Sequence, residues 1–508
     1  MRIKNILQYL ERTASRVPEK TAFSQGGQGE SLTFGALLEL SRRVGSELCR
    51  QGMTGRRVAV WMDRCPMAIA VMLGAVYAGA CYVPLDASMP RERVTHILSS
   101  AKVALLLCDR TNIDAARQSG CPVCPVDELL SADADETALS VVRAAQIDTD
   151  PIYMIFTSGS TGLPKGVVGC HRAVIDYGEA LTAALGLDET RVFGCQSPLY
   201  FDAPLKEILT TLMYGATTYL IPRRLFSFPT LLLEYLKENG INTVCWVSSA
   251  LHAVATLGAL EQQAPTTLDK VVFGSEVLPM KSFHAWRAAL PRAEFFQLYG
   301  PTEATGMSCY YRVDRDFGEG ERIPIGRPLD NTGLFLLGAD GDPILPHAGS
   351  RSEQGEICLR GSCLTLGYDH DERTSISFVQ NPLHNAYPET VYRTGDIACY
   401  NERGELEFLG RRDSQIKRMG HRIELGEIEA QSLACAGVTA AACVACEQDG
   451  EMVLFYTGET DGASLRQQLE KRLPRYYMPR RICRRTELPL TENGKIDRRA
   501  LGKEAGEE

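Results

Sequence analysis

The chain has 508 residues, of which 44% are hydrophobic and 23% charged, and it carries a net charge of −9. This composition fits a globular protein of more than one domain and excludes a disordered or low-complexity chain. The acidic balance argues against non-specific nucleic-acid binding and against a polybasic membrane patch, while leaving room for a local basic pocket for a small anion.

The opening stretch MRIKNILQYLERTASRVPEK is punctuated by charge and does not read as a secretory signal. Ser31 to Gly52 (SLTFGALLELSRRVGSELCRQG) predicts one amphipathic helix closed by Gly52, with RVAVWM after it as a strand. The stretch from Met67 to Leu85 has no charge and reaches the length of a membrane span. Gly74, Gly79 and Pro84 interrupt it, so a buried helix followed by a buried strand is the better reading. The 17 cysteines are scattered. Cys121/Cys124 and Cys443/Cys446 form CxxC pairs, but no His or Cys cluster flanks either, and both segments read as apolar strands. Buried thiols in a reducing cytoplasm are expected rather than a zinc site or a disulfide scaffold.

The strand YMIF runs into FTSGSTGLPKG, residues 156–166. Thr157, Ser158, Ser160 and Thr161 offer hydroxyls, Gly159 and Gly162 let backbone N–H groups approach an anion, and Lys165 adds a positive charge. The stretch is built to hold phosphate. It is not a Walker loop, because Pro164 precedes the lysine and Gly166 follows it, and no GxGxxG supports a dinucleotide fold. Downstream, TLLLEYLKENG then INTVCWV repeats the order helix, glycine stop, buried strand, and LDKVVFGSE is a further strand. The alternation predicts α/β architecture with largely parallel sheets. From about residue 325 short strands and Gly/Asp/Pro turns predict a β-rich subdomain. After GRRD (410–413) a segment of about 95 residues has the size of a small domain.

The phosphate loop resembles that of the adenylate-forming superfamily: amino-acid adenylation domains of nonribosomal peptide synthetases, acyl- and aryl-CoA ligases, and luciferases. VYAGACYVPLD (76–86), YFDAP (200–204), LYGPTEAT (298–305), GEICLRGSCLTLGY (355–368), YRTGD (392–396), GRRDSQIKRMGHRIELGEIE (410–429), LPRYYMP (473–479) and NGKIDRR (493–499) follow in that family's order and are most similar to its amino-acid-activating branch. The resemblance implies an N-terminal adenylation core, 1–411, and a small mobile α+β domain, 412–508, turning on a hinge near Asp413. It also implies MgATP as co-substrate. The 157–165 loop would hold the β- and γ-phosphates. Tyr299 would stack on adenine, with Gly274, Ser275 and Gly300 beside it. Thr302 would bond the α-phosphate, Glu303 would help hold Mg²⁺, Asp396 would accept the ribose hydroxyls, and Arg411 would support that side. Lys495 would bridge the substrate carboxylate and the α-phosphate, and Gly420 would leave room for a pantetheine arm.

By the same resemblance, Asp202 pairs with a substrate α-ammonium, which favours an amino acid over a fatty or aryl acid. Lys206 lies four residues on. Pro204 suits a first helical turn, so Lys206 is expected one turn from Asp202 on the same face. It is either a helix-face partner of Asp202 or the far half of a zwitterion clamp that takes a side-chain carboxylate, with glutamate as the substrate guess. Ala203, Val271, Phe273, Leu298, Gly306 and Met307, with one residue from Cys245–Val247, are placed around the pocket. WVSSAL, GSEVLP and YGPTEAT also resemble D-alanine–carrier-protein ligases, which take a small side chain. No carrier domain is visible after Arg498, so a separate carrier protein bearing phosphopantetheine is the expected acceptor, and the enzyme is expected to be a cytoplasmic monomer with no nucleic-acid or membrane partner. An acyl-CoA ligase and an inactive nucleotide-binding homologue are the competing readings. Asp202 speaks against the first, and the presence of Lys165, Glu303, Asp396 and Lys495 against the second.

Overall fold

The computed structural model describes residues 3–131, 133–158, 164–318, 320–347, 349–412, 415–446, 451–490 and 496–507. It forms two compact units. One comprises Met1–Ala87, Ala101–Ile155 and Gly166–Gly410, and the other Ser88–Ser100, Phe156–Lys165 and Arg411–Glu508. The units therefore do not follow a single cut near residue 411.

The larger unit is α/β. Its main sheet has a parallel centre in the order Glu294–Tyr299, Lys270–Gly274, Thr243–Val247, Val192–Cys195, Thr217–Leu220 and Thr21–Ser24, with antiparallel strands at both edges. A second sheet carries Val123–Pro125, Leu105–Cys108, Arg57–Met62, Cys81–Asp86, Pro151–Thr157 and Lys165–Cys170. The β-rich subdomain is an antiparallel sheet built on Thr332–Leu337, Gly355–Gly361 and Thr390–Tyr400.

The uncharged stretch 67–85 folds as helix Pro66–Tyr77, buried on every side from Ala68 onward, and strand Cys81–Asp86. A helix apolar all round belongs inside a large core. Among the described residues no helix is long and apolar enough to cross a membrane. The helix expected over 31–52 is shorter. Ser31–Thr33 pairs as an edge strand, and the Thr33 hydroxyl caps helix Phe34–Arg50 by accepting from Ala36 N. A β-branched N-cap ends the strand and starts the helix at one residue.

The smaller unit is α+β. Val438–Ala445 and Met452–Gly458 pair antiparallel, Arg481–Arg484 adds in parallel, and helices Leu425–Leu433 and Gly462–Glu470 cover an apolar core of Ile423, Ile428, Leu454, Tyr456, Leu465 and Leu469. Within it Arg93 and Glu427 make a buried ion pair at 2.5 Å, and the Tyr477 hydroxyl donates to the other carboxylate oxygen at 2.9 Å.

Candidate active site

Four neighbouring parallel strands end at Cys195, Val247, Gly274 and Tyr299. Ligands of open α/β sheets bind outside such carboxyl ends. Here a small pocket, with a cavity volume of about 10 Å³, is lined by Ser197, Ala203, Lys206, Cys245, Trp246, Val247, Val272, Phe273, Gly274, Ser275, Leu298 and Met307. The structure thus brings Ala203, Lys206, Phe273, Leu298 and Met307 together from distant parts of the sequence, with Gly274 and Ser275 on the same wall. Val271 does not line it. Val271 is fully buried in the apolar cluster around Trp246 and Phe283, while Val272 reaches the pocket. Val271 lies one residue further from the carboxyl end of strand Lys270–Gly274, whose last three residues all line the pocket.

Asp202 stands beside this pocket, half-buried at the turn that precedes helix Leu205–Tyr214. Burial pushes its carboxyl up, opposed by the Thr302 hydroxyl and the Lys206 charge, and the neighbouring Glu303 carboxylate pushes it further up. Gly306 (φ +95°) borders it: a methyl there would lie 3.8 Å from Asp202 Cγ and 3.6 Å from the Tyr177 oxygen, so glycine keeps that space open. Lys206 is 4% exposed. Its Nζ donates to the Ala203 carbonyl at 2.6 Å rather than to Asp202, because the helix begins at Leu205 and Asp202 lies outside its first turn.

Tyr299 and Asp396 are both buried, and the phenol donates to Asp396 Oδ2 at 2.5 Å. Glu303 is fully buried and accepts from the Tyr368 hydroxyl at 2.6 Å, while its backbone carbonyl accepts from Thr365 N and Oγ1. Thr302 to Ala304 form one 3-10 turn. Gly300 is required by contact: a Cβ there would lie 2.3 Å from the Gly306 carbonyl. Glu303 carries carboxylate oxygens of the kind a hard cation such as Mg²⁺ takes, but among the described residues no group of three or more His, Cys, Asp or Glu could hold a metal ion. Tyr368 was not assigned a role by sequence reasoning. It closes the GEICLRGSCLTLGY motif, which was the available signal.

In the smaller unit, the described part of the phosphate loop is Thr157, Ser158 and Lys165. All three are buried, Thr157 Oγ1 has no hydrogen-bond partner among the described residues, and the Ser158 hydroxyl donates to the Arg422 carbonyl at 2.9 Å. Gly159, Ser160, Thr161, Gly162, Asp413 and Lys495 lie outside the described residues. Arg411 ends strand Leu406–Arg411 and is half-buried. Gly420 (φ +77°) and Met419 (φ +51°) form the two-residue turn between Gln415–Arg418 and His421–Glu424. Two positive φ values in a hairpin loop are a backbone reason for glycine there, independent of any ligand.

The family model described as AMP-binding enzyme matches residues 10–369, and that of the AMP-binding enzyme C-terminal domain matches residues 427–495. The chain is 33% identical to tyrocidine synthase 3 of Brevibacillus parabrevis over 99% of its own length and 8% of that protein's. It is 31% identical to delta-poly-L-ornithine synthetase of Acinetobacter baumannii (strain AB307-0294) over 96% of its length and 36% of that protein's. It therefore spans about a third or less of these relatives. Among solved structures, holo-PA1221, an NRPS protein containing adenylation and PCP domains, superposes with a TM-score of 0.82 at 26% identity, over 98% of this chain and 84% of that one. The Vibrio cholerae adenylation domain AlmE has the same fold, with a TM-score of 0.85 at 22% identity over 100% and 99% of the two chains.

Proposed function

The chain belongs to the AMP-binding enzyme family, and from that membership we propose that it activates an amino acid as its aminoacyl-AMP and passes the acyl group to the phosphopantetheine thiol of a separate carrier protein. The amino acid proposed is acidic, with glutamate as the first candidate. The observation that carries this substrate reading is Lys206: a buried ammonium on the wall of an otherwise largely apolar pocket, one short turn from the half-buried carboxylate of Asp202. Burial makes its charge interactions strong, and a substrate side-chain carboxylate would add a counter-charge to those of the Asp202 and Glu207 carboxyls already in its field. The adenylation and PCP domains of holo-PA1221 support the carrier as acceptor.

In the first step a substrate carboxylate oxygen forms a bond to the α-phosphorus of ATP and the bond to the β-phosphate oxygen breaks, so pyrophosphate leaves with the electron pair. In the second a thiol sulfur bonds to the acyl carbon and AMP leaves. Two anions must meet in the first step, so positioning and cationic stabilisation supply most of the rate. Asp202 would hold the α-ammonium and Lys206 the far carboxylate. Tyr299, Gly274, Ser275 and Gly300 would cradle the base, and Asp396 and Arg411 the ribose side. Thr302, Lys165 and the loop from Thr157 would hold phosphate oxygens. Glu303 would hold Mg²⁺, which when bound neutralises phosphate charge. Lys495 would bridge carboxylate and α-phosphate from the domain that turns on Asp413, and Gly420 would flank the pantetheine path.

A small apolar amino acid such as D-alanine is the second reading, because Lys206 already has a partner in the Ala203 carbonyl and Phe273, Leu298 and Met307 are apolar. ATP–pyrophosphate exchange over a panel of L- and D-amino acids, with Lys206→Ala beside the parent, separates the two. Exchange strongest with glutamate and lost in the variant is expected. Exchange strongest with alanine and unchanged in the variant would overturn the acidic substrate and leave adenylation standing.

A further inference from the structure

Glu207 follows the pocket lysine and was assigned no role above. It is fully buried, and neither carboxylate oxygen has a hydrogen-bond partner among the described residues. An unpartnered buried carboxyl costs stability, so its retention calls for a reason. Its surroundings give one. Lys206 and Cys245, both on the pocket wall, lie in its field, as do Cys195 behind that wall, Tyr177, which borders the Asp202 space, and Arg64. Arg64 in turn donates to the carbonyls of Cys195, Gln196 and Ser197 at 3.3, 2.8 and 3.0 Å and to that of Ile221, tying down the chain that leads to Asp202. Lys206 thus acts on both Asp202 and Glu207, and Arg64 acts on Glu207.

We propose that Glu207 is a positioning residue for specificity: its buried carboxylate acts on the adjoining Lys206 as an internal counter-charge and sets how strongly the pocket prefers an acidic side chain to its neutral amide. The inference rests on the reading of Lys206 as the side-chain clamp. With Glu207 ionised, Lys206 is balanced from behind and a neutral side chain leaves no charge uncompensated. With Glu207 neutral, the net positive pocket favours the acid. Burial pushes the Glu207 carboxyl up to about 7, opposed by the Lys206 and Arg64 charges. Burial also pushes up the carboxyl of Asp202, which shares Lys206 with it. Burial holds the Cys195 thiol up at about 12 and the Cys245 thiol and Tyr177 phenol well above their ordinary values, and a guanidinium stays protonated. The preference is therefore expected to change with pH.

The test is the ratio of kcat/KM for L-glutamate to that for L-glutamine, measured by ATP–pyrophosphate exchange from pH 6.0 to 8.5 on the parent, Glu207→Gln and Glu207→Met, with Lys206→Ala as control. In the parent the ratio should fall as pH rises. In both Glu207 variants it should be independent of pH and, at pH 8, higher by about tenfold or more. A merely structural role would lower both rates together and leave the ratio alone. A ratio within twofold of the parent, or below it, overturns the proposal. Should neither variant fold, a parent ratio that is flat with pH overturns it equally. If Lys206→Ala abolishes glutamate exchange while the Glu207 variants leave the ratio unchanged, the clamp stands and this inference falls. If Lys206→Ala changes nothing, both fall.

Discussion

The hydroxyl of Tyr299 donates a 2.5 Å hydrogen bond to Asp396 Oδ2, across 97 residues of sequence. The two side chains belong to different sheets: Tyr299 ends a parallel strand and Asp396 lies within Thr390–Tyr400 of the β-rich subdomain. The bond joins the proposed base and ribose ends of the nucleotide site. Hydrogen bonds to charged acceptors contribute about 1.5–3 kcal/mol. Tyr299→Phe should therefore raise the KM for ATP roughly tenfold or more and leave the KM for the amino acid nearly unchanged. Initial-rate exchange kinetics with each substrate varied in turn check this, and equal increases in both would count against the assignment.

Gly300→Ala should leave a soluble protein with little exchange activity. A Cβ would lie 2.3 Å from the Gly306 carbonyl and 2.5 Å from Met307 Cα, so the loop carrying Thr302 and Glu303 must shift. Displacement of about 1 Å at a reacting site costs on the order of a hundredfold. Single-turnover formation of acyl-AMP is the measurement.

Arg93→Met should destabilise the smaller unit by about 3–5 kcal/mol, because it strands a buried carboxylate at Glu427. Replacing both partners with apolar residues of similar size should recover much of that loss. Denaturant unfolding of the full chain, with hydrogen exchange in helix Leu425–Leu433 as the local probe, distinguishes the single from the double variant.

His171 is 1% exposed and its Nδ1 accepts from Ile6 N at 3.4 Å. Burial and the Arg143 charge push its pKa down to about 3. A histidine held neutral by the fold contributes stability that is present above its unfolded pKa of about 6.5 and is lost as pH falls toward its folded value. Between pH 6.5 and 4.5 the parent should lose up to about 1.4 kcal/mol per pH unit through this group. His171→Gln should lose correspondingly less, as read from melting curves across that range.

Much of this arrangement was legible beforehand. The order of helix, glycine and strand at 230–247 forms as expected, with helix Pro229–Glu238, Gly240 at positive φ and strand Thr243–Val247. Ala203, Lys206, Phe273, Leu298 and Met307, which the family resemblance placed around one pocket, line one in the structure. The signal for Glu207 was weaker. In LKEILTTLMY two charged residues adjoin at the start of an apolar helix, where a solvated face is the ordinary expectation, yet both are buried.

What the sequence by itself determined was local and periodic: α/β alternation, the glycine stops, the phosphate loop's chemistry and the chain order of the site motifs. These follow from side-chain pattern and backbone preference over a few residues. The tertiary structure alone decided which atoms meet. It gave Lys206 the Ala203 carbonyl instead of Asp202, put Val272 rather than Val271 on the pocket wall, joined Tyr299 to Asp396, and buried Glu207 beside the lysine. The first of these turns on the helix starting at Leu205 rather than at Pro204, and the others on how separate elements pack. A one-residue shift in a helix start leaves the hydrophobic pattern readable and changes which atoms meet.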